Sequence, residues 1–354
     1  MMFYPLKFNP IYKDYLWGGR NLEKFGKKLP GGVVAESWEI SCHPAGVSVI
    51  SNGEFQGVSL PELIEKYSQK IVGNALPQED IDKFPLLLKL IDANDWLSVQ
   101  VHPEDSYAQV HENGELGKYE MWYVLSAKPG AKLIYGVLPG VTREIFAQAI
   151  KENRIDRCLN YIEVFPGDTL SIPAGLVHAT GPDIVVAEIQ QNSNTTYRIY
   201  DFDRMDKFGN KRPLHIEKAL EVIDFNADKY KKKTADFSVK IGDFSSKTYE
   251  VVNKYFVVEL YQIHGEVHEL ANGIRFYIYL CIEGEGEILY EGGSVKVHSG
   301  DSFLIPASMG RYTLKGNFHA LKSYVPDLQE NVILPLKRKG YSETTICEYM
   351  EEFK

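Results

Sequence analysis

Two histidines and a glutamate, far apart in the chain, are the residues whose chemistry stands out. His102 ends the segment LSVQVH, Glu120 opens EMWYVL, and His178 ends IPAGLVH. A divalent metal ion with open coordination positions prefers imidazole nitrogens and a carboxylate that face one cavity from neighbouring strands. The three residues therefore predict a metal site. The alternative for each residue alone is an ordinary polar side chain on the wet face of a strand.

The strands that carry these residues are indicated by alternating side chains. Ser98, Gln100 and His102 share one face of the first segment, opposite Leu97, Val99 and Val101. Glu120 shares a face with Trp122 and Val124 in the second segment. Both segments are thus expected to be β-strands with polar side chains on one face.

An internal repeat supports this interpretation for the third residue. Residues 162–180 read IEVFPGDTLSIPAGLVHAT, and residues 295–313 read VKVHSGDSFLIPASMGRYT. Two copies predict two related β modules. Arg311 takes the position of His178 in the second copy, and arginine is a donor-only side chain that does not bind metals. The corresponding strand near 274–276 offers no carboxylate, so the second module is expected to hold no metal.

Three basic residues are candidates for binding an anion. Lys89 lies inside the apolar run PLLLKLI, where a lysine is costly to bury without a partner. It either lines a pocket or extends from an edge strand to water. Lys118 lies two residues before Glu120, on the inward face of that strand or in an exposed turn. Arg198, in TTYRIYDFDR, suits a bidentate contact with phosphate or carboxylate, or a salt bridge to Asp201 or Asp203.

Trp17 and Glu36 are further candidates for a pocket wall, although a buried tryptophan is more often core. The other histidines lack comparable partners and are interpreted as surface or internally bonded residues.

Composition limits the classes of protein that this chain could belong to. The 354 residues carry a formal net charge of −9, which disfavours non-specific nucleic-acid binding. The four cysteines are widely spaced and predict no disulfide framework. The sequence shows no signal-peptide pattern and no apolar run of about 18 residues, so we expect a cytoplasmic protein with no membrane contact. Nothing in it identifies a protein partner.

The elements predicted from the sequence are mainly strands. Helices are expected at 59–75, 142–153 and 214–223, and a lysine-rich linker at 229–233. We predict a mainly β fold of two related β modules with a few helices. Residues 1–234 would form the metal-binding module, 235–325 a second, metal-free module, and 326–354 a charged tail without a β pattern.

The motifs together resemble the type I mannose-6-phosphate isomerase family in its compact bacterial form. The resemblance rests on YLWGG, AESWEIS, LLLKLIDANDWLSVQVHPED, KYEMWYVL, GDTLSIPAGLVHA and EIQQNSNTTYRIYDFDR. It covers most of residues 12–205, and the repeat extends it to about residue 325. The resemblance implies two jelly-roll-like cupin β-barrel modules, with residues 1–234 as the catalytic cupin and 235–325 as the metal-free cupin.

The resemblance implies an aldose–ketose isomerase for mannose 6-phosphate and fructose 6-phosphate, with one zinc ion per chain. The ligands that it implies are Gln100, His102, Glu120 and His178. It also implies Arg198 as the catalytic arginine, Lys89 and Lys118 as pocket lysines, and Glu36 as a pocket acid. Asn194 departs from the aspartate that the family often carries, so the general base stays open between Glu36 and Lys118. An iron-dependent cupin oxygenase and a non-catalytic sugar-phosphate sensor are the alternatives.

Overall fold

The computed structural model describes residues 2–77, 81, 83–206, 208–226 and 237–351. The strands are β1 (Phe8–Asn9), β2 (Ile11–Lys13), β3 (Glu36–Ile40), β4 (Val49–Ile50), β5 (Leu86–Ala93), β6 (Val99–Val101), β7 (Glu120–Ala127), β8 (Lys132–Val137), β9 (Leu159–Glu163), β10 (Thr169–Ile172), β11 (His178–Ala179), β12 (Ile184–Gln191), β13 (Tyr197–Tyr200), β14 (Ser238–Lys240), β15 (Ser246–Val252), β16 (Val257–Ala271), β17 (Tyr277–Tyr290), β18 (Gly293–His298), β19 (Ser302–Ile305) and β20 (Gly310–Tyr324). The helices are α1 (Leu60–Tyr67), α2 (Gln69–Val72), α3 (Asp105–His111), α4 (Arg143–Lys151), α5 (Ile216–Val222), α6 (Leu334–Arg338) and α7 (Glu343–Glu351).

The first part of the chain contains a small two-stranded sheet of β1 and β4 and two larger sheets. One of the larger sheets has the strand order β10-β7-β12-β5-β3-β2, and the other β13-β6-β11-β8-β9. The inner strands β5 and β12 of the six-stranded sheet are buried along their whole length. This burial explains why nearly all of their residues are apolar. The polar residues inside those runs therefore point into the protein.

The second part is one large sheet that contains strands β14 to β20. The long strands β16, β17 and β20 pair antiparallel at its centre. The N-terminal segment also reaches this sheet, because the backbone of Leu6 pairs with that of Leu304 in β19.

The mainly β prediction is confirmed, whereas the prediction of two β-barrels goes beyond what the structure shows. The sheets of the described residues are open, with free outer strands, and none closes on itself. Both copies of the repeat nevertheless form a strand, a glycine turn and a second strand. Gly167 and Gly300 occupy the turn with φ of 90° and 84°, a conformation that glycine adopts without a Cβ clash.

The predicted helices form, with changes at their ends. Ser59 caps α1 through a capping box, as expected from its position before Leu60 and Pro61. The predicted helix at 59–75 breaks at Ser68, whose φ of 43° is left-handed, and continues only as α2. The helices predicted at 142–153 and 214–223 correspond to α4 and α5. The predicted linker 229–233 lies outside the described residues.

The tail is helical and packs on the second sheet. A π-helical turn at Gln329–Ile333 precedes α6 and α7, and the buried side chains Val332, Leu336 and Ile346 join the core. Among the described residues, no helix combines the length and the apolar character needed to cross a membrane.

Candidate metal centre and adjoining cavity

The three predicted metal ligands come from two facing sheets. His102 directly follows β6, and His178 opens β11, which pairs with β6. Glu120 opens β7 in the other sheet, opposite Ile172 of β10. The Pro-Ala turn of the repeat lies between β10 and β11, so it carries the chain from the sheet of Glu120 to the sheet of His178.

The ligand atoms converge on a common point. His102 Nε2 lies 3.3 Å from Glu120 Oε1, and His178 Nε2 lies 3.7 Å from Glu120 Oε2. One ligand atom from each residue lies within 4.8 Å of the other two, and all three residues are buried. Among the described residues, these three form the one group of His, Cys, Asp or Glu side chains that lie close enough together to hold a metal ion. Arg311, the counterpart of His178, is exposed.

Backbone carbonyls orient both imidazoles. His102 Nδ1 lies 2.9 Å from the carbonyl oxygen of Thr195, and His178 Nδ1 lies 2.8 Å from that of Leu176. A carbonyl accepts only, so each Nδ1–H donates and each Nε2 keeps its lone pair. Partners of this kind commonly orient metal-binding histidines.

Buried polar atoms without hydrogen bonds mark the point of convergence. Among the described residues, His178 Nε2 and Glu120 Oε2 have no hydrogen-bond partner, whereas Glu120 Oε1 forms an ion pair with Lys118 at 2.6 Å. Buried atoms without a partner are costly unless an ion satisfies them. Burial, with the nearby Lys118, lowers the pKa of His102 to about 3, and burial lowers that of His178. Burial alone would raise the pKa of Glu120, but Lys118 and the imidazoles hold it well below the usual value. Two neutral imidazoles and one carboxylate fit a divalent cation.

Lys118 connects this centre to a cavity of about 270 Å³. Its ammonium lies 2.6 Å from Glu120 Oε1 and 3.4 Å from His102 Nε2. The side chain therefore faces inward and does not lie in an exposed turn. The cavity is lined by six predicted residues, namely Trp17, Glu36, Lys89, Gln100, Lys118 and Arg198. It is also lined by residues that the sequence did not single out as lining a pocket: Tyr15, Ile91, Leu97, Ser98, Trp122, Glu188, Asn194, Thr196, Arg212 and His215.

Lys89 is buried on an inner strand and does not extend from an edge to water. Its ammonium lies 3.0 Å from Glu188 Oε1 and donates to Gln190 Oε1 at 2.7 Å. Burial would lower the pKa of this lysine, but Glu188 and Glu36 raise it above the usual value. Lys89 is therefore a cation in the cavity wall that is already paired with the carboxylate of Glu188.

Glu188 is the main cavity residue that sequence reasoning missed. It lies opposite Lys89 in the pairing of β12 with β5, and it accepts a hydrogen bond from Trp122 Nε1 at 2.8 Å. The available signal was a glutamate inside the apolar run IVVAEIQQ, the same pattern that drew attention to Lys89.

Arg198 has no carboxylate partner among the described residues. Its Nε donates to Ser98 Oγ at 3.3 Å and its Nη1 to the carbonyl of Pro213 at 3.2 Å. The predicted alternative, a salt bridge to Asp201 or Asp203, does not form. Asp201 pairs with Arg204 and Arg212, and Asp203 with Lys211.

The remaining predicted residues surround the same cavity. Glu36 Oε2 accepts from Trp38 Nε1 at 2.6 Å, and Trp17 is buried against Tyr15 with ring centroids 5.6 Å apart. Gln100 lies between His178 and Arg198, which pair with it from the two neighbouring strands. This position puts it next to the metal centre, and its role as a fourth ligand stays a prediction.

Comparisons with known proteins agree with this arrangement. Residues 6–121 match the family model of the phosphomannose isomerase type I catalytic domain, and residues 245–325 match the mannose-6-phosphate isomerase cupin domain. Mannose-6-phosphate isomerase ManA of Bacillus subtilis is 37% identical over 91% of this chain and 99% of its own length. The Streptococcus mutans mannose-6-phosphate isomerase is 39% identical over 90% and 98%. The crystal structure of the Bacillus subtilis enzyme superposes with a TM-score of 0.83 at 35% identity, over 90% of this chain and 99% of that one.

The fold and the site define a mainly β, metal-dependent enzyme with a cupin domain. The matches over nearly the whole length of the relatives then make the assignment specific. This chain belongs to the phosphomannose isomerase type I family. Family membership favours an isomerase over the oxygenase and the non-catalytic sensor.

Proposed function

We propose that this enzyme interconverts mannose 6-phosphate and fructose 6-phosphate. The observation that carries the proposal is the buried set of two neutral imidazoles and one carboxylate beside a cavity lined by cations. The relatives named mannose-6-phosphate isomerase support the same reaction. In this proposal the metal would supply an electrophile near C1 and C2, and the basic residues of the cavity wall would bind the phosphate.

The proposed metal is zinc, one ion per chain, held by His102, Glu120 and His178 with Gln100 as a fourth ligand. Nitrogen and oxygen ligands of this kind suit zinc. When bound, the ion would supply Lewis acidity to the oxygen on C1 or C2 of the open-chain sugar.

The proton transfer is assigned to the residues around C1 and C2. A base removes the proton from C2 of the aldose, and O1 gains a proton to give a cis-enediol. A proton then returns to C1 while O2 loses one, so no oxidant is needed. We assign the base to Glu36, because the ammonium of Lys118 is engaged by Glu120. Lys118 then adds positive charge where the enediol oxygens form.

Arg198 is proposed to bind the phosphate at the other end of the cavity. Its Nε contacts Ser98, four residues before His102 in an extended segment. Ser98 and Gln100 lie on the same face of this segment, with Gln100 nearer to His102. The guanidinium would thus hold the terminal phosphate on the side of the cavity away from His102, with the sugar carbonyl towards the metal.

We further propose that the chain is divided as the repeat suggests. Residues 1–234 would form the catalytic cupin module, 235–325 the second module without a metal, and 326–354 the tail. The support is the shared strand–turn–strand structure of the two copies and the packing of the tail on the second sheet.

A coupled assay tests the reaction. Purified protein should form fructose 6-phosphate from mannose 6-phosphate, followed through phosphoglucose isomerase and glucose-6-phosphate dehydrogenase as NADPH absorbance. Removal of metal by a chelator should abolish turnover, and added Zn²⁺ should restore it. Full turnover by protein shown to contain no metal would contradict the mechanism, and the absence of turnover by zinc-loaded protein would contradict the reaction.

A further inference from the structure

Two of the three arginines at the outer end of the cavity, Arg204 and Arg212, share one buried carboxylate. Asp201 accepts from Arg204 Nη2 at 2.6 Å, and from Arg212 Nε and Nη2 at 2.8 and 2.5 Å. Arg198 has no carboxylate partner among the described residues. Arg204 also lies 3.9 Å from Asp95, which is mostly exposed. Asp14 and Asp206 line the adjacent pocket that Arg204 and Arg212 share. The three guanidinium groups therefore outnumber the one buried carboxylate, in a chain whose net charge is −9.

Two of these arginines face the same cavity. Arg198 and Arg212 both line it, and burial together with the charge of Arg212 lowers the pKa of Arg198. Asp201 holds Arg212 through Nε and Nη2, while Nη1 has no protein partner among the residues described. Two guanidinium groups that disfavour each other at a cavity wall are stabilised when an anion lies between them.

At the inner end of the cavity, by contrast, each cation has a carboxylate of its own. Lys89 is paired with Glu188 at 3.0 Å, and Lys118 with Glu120 at 2.6 Å. A dianion that entered the inner end would meet these two carboxylates as well. The outer end is therefore the better place for a phosphate.

We propose that Arg212 supplies the second guanidinium for the substrate phosphate and thereby determines the preference for phosphorylated over neutral sugars. Asp201 and Arg204 are positioning residues. They fix the plane of the Arg212 guanidinium but do not line the cavity of about 270 Å³ themselves. The inference rests on the proposed function for its substrate, but phosphate binding at Arg212 can be measured without turnover.

The test compares Arg212→Gln with Lys211→Gln, which removes the same charge one residue earlier. Lys211 is half exposed and pairs with Asp203, outside the cavity lining. The measurements are the dissociation constant of inorganic phosphate by calorimetry, KM and kcat for mannose 6-phosphate, and zinc content. Arg212→Gln should raise the phosphate dissociation constant and KM by about 10- to 100-fold, as expected for a lost charge-assisted hydrogen bond. Its kcat and zinc content should change little.

Two further variants separate positioning from a general loss of structure. Arg212→Lys should be intermediate, because it keeps the charge but loses the planar fork. Asp201→Asn should raise KM with kcat largely retained. The inference is overturned if Arg212→Gln binds phosphate as the wild type does, if Lys211→Gln loses as much, or if the wild type does not bind phosphate. If phosphate binds as expected but mannose 6-phosphate is not converted, the proposed reaction fails and the anion site stands.

Discussion

At the scale of single residues, two carbonyl oxygens determine what the histidines can do. The carbonyls of Thr195 and Leu176 accept from Nδ1 of His102 and His178, so both Nε2 atoms face Glu120 unprotonated. The carboxylate is the one negative group of this set, and its charge contributes strongly to the affinity for a divalent cation.

Glu120→Gln keeps the shape of the side chain and removes that charge. We expect the affinity for Zn²⁺ to fall by more than about 100-fold, since even outer partners of metal ligands contribute about 10- to 100-fold. Competition with a chromophoric chelator measures this affinity. The exposed Glu285 offers the matched control Glu285→Gln, which should bind zinc normally. Unchanged affinity in Glu120→Gln would remove this residue from the ligand set.

Arg198→Ala should separate anion binding from metal binding. The guanidinium contacts Ser98 and Pro213, not the metal ligands, so zinc content should stay at the wild-type level. We expect kcat/KM to fall by about 100- to 1000-fold, the usual effect of removing one strong donor from an active site. Loss of zinc in this variant would show that Arg198 has a structural role instead.

At the scale of elements, the strand pairing of β5 and β12 creates the polar centre of the cavity. Lys89 and Glu188 lie opposite each other although 99 residues separate them. The sequence identifies both as charged residues in apolar strands, but it does not show which strands become neighbours. This is why Lys89, Lys118 and Arg198 could be proposed as cavity cations while Glu188 and Arg212 were missed. His178 could be found because the repeat defines its turn locally.

The buried pair gives a prediction for stability. Lys89→Met leaves the Glu188 carboxylate buried without its cation and should lower the free energy of unfolding by about 3–5 kcal/mol. Lys89→Met combined with Glu188→Gln removes both charges and should recover much of that loss. Urea denaturation monitored by tryptophan fluorescence measures both effects. A single variant as stable as the wild type, or a double variant no more stable than the single one, would contradict this account of the pair.

At the scale of the whole molecule, a buried hydrogen bond joins the two sheet regions. Glu250 of β15 accepts from Thr169 Oγ1 of β10 at 2.7 Å, and β10 pairs with the strand that carries Glu120. The helical tail packs against the same strand β15, where Tyr349 donates to the carbonyl of Tyr249 at 2.5 Å. The sequence did not predict these tail helices, because they are short and most of their stability comes from packing.

Glu250 should make stability depend on pH. Burial raises its pKa to about 7, so between about pH 4.3 and 7 the folded protein holds a proton that the unfolded chain has lost. The free energy of unfolding therefore falls as the pH rises through this window. Glu250→Gln should remove this loss and be more stable than the wild type by up to about 3 kcal/mol at pH 8, with little difference near pH 4.

Thermal and urea unfolding at the two pH values measure this effect. The exposed Glu291 provides the control Glu291→Gln, which should leave the pH dependence unchanged. A Glu250→Gln variant with the wild-type slope between pH 4 and 8 would show that this carboxyl does not titrate in that range.

The measurement that tests the central claim most directly is the ratio of metal to protein. Protein equilibrated with Zn²⁺ and freed of excess should contain one zinc per chain by elemental analysis, as should the control His268→Ala, whose histidine is exposed on the second sheet. His178→Ala should retain far less than one. A full equivalent of zinc in His178→Ala, or a wild-type ratio near zero or two, would contradict a single metal centre built by His102, Glu120 and His178.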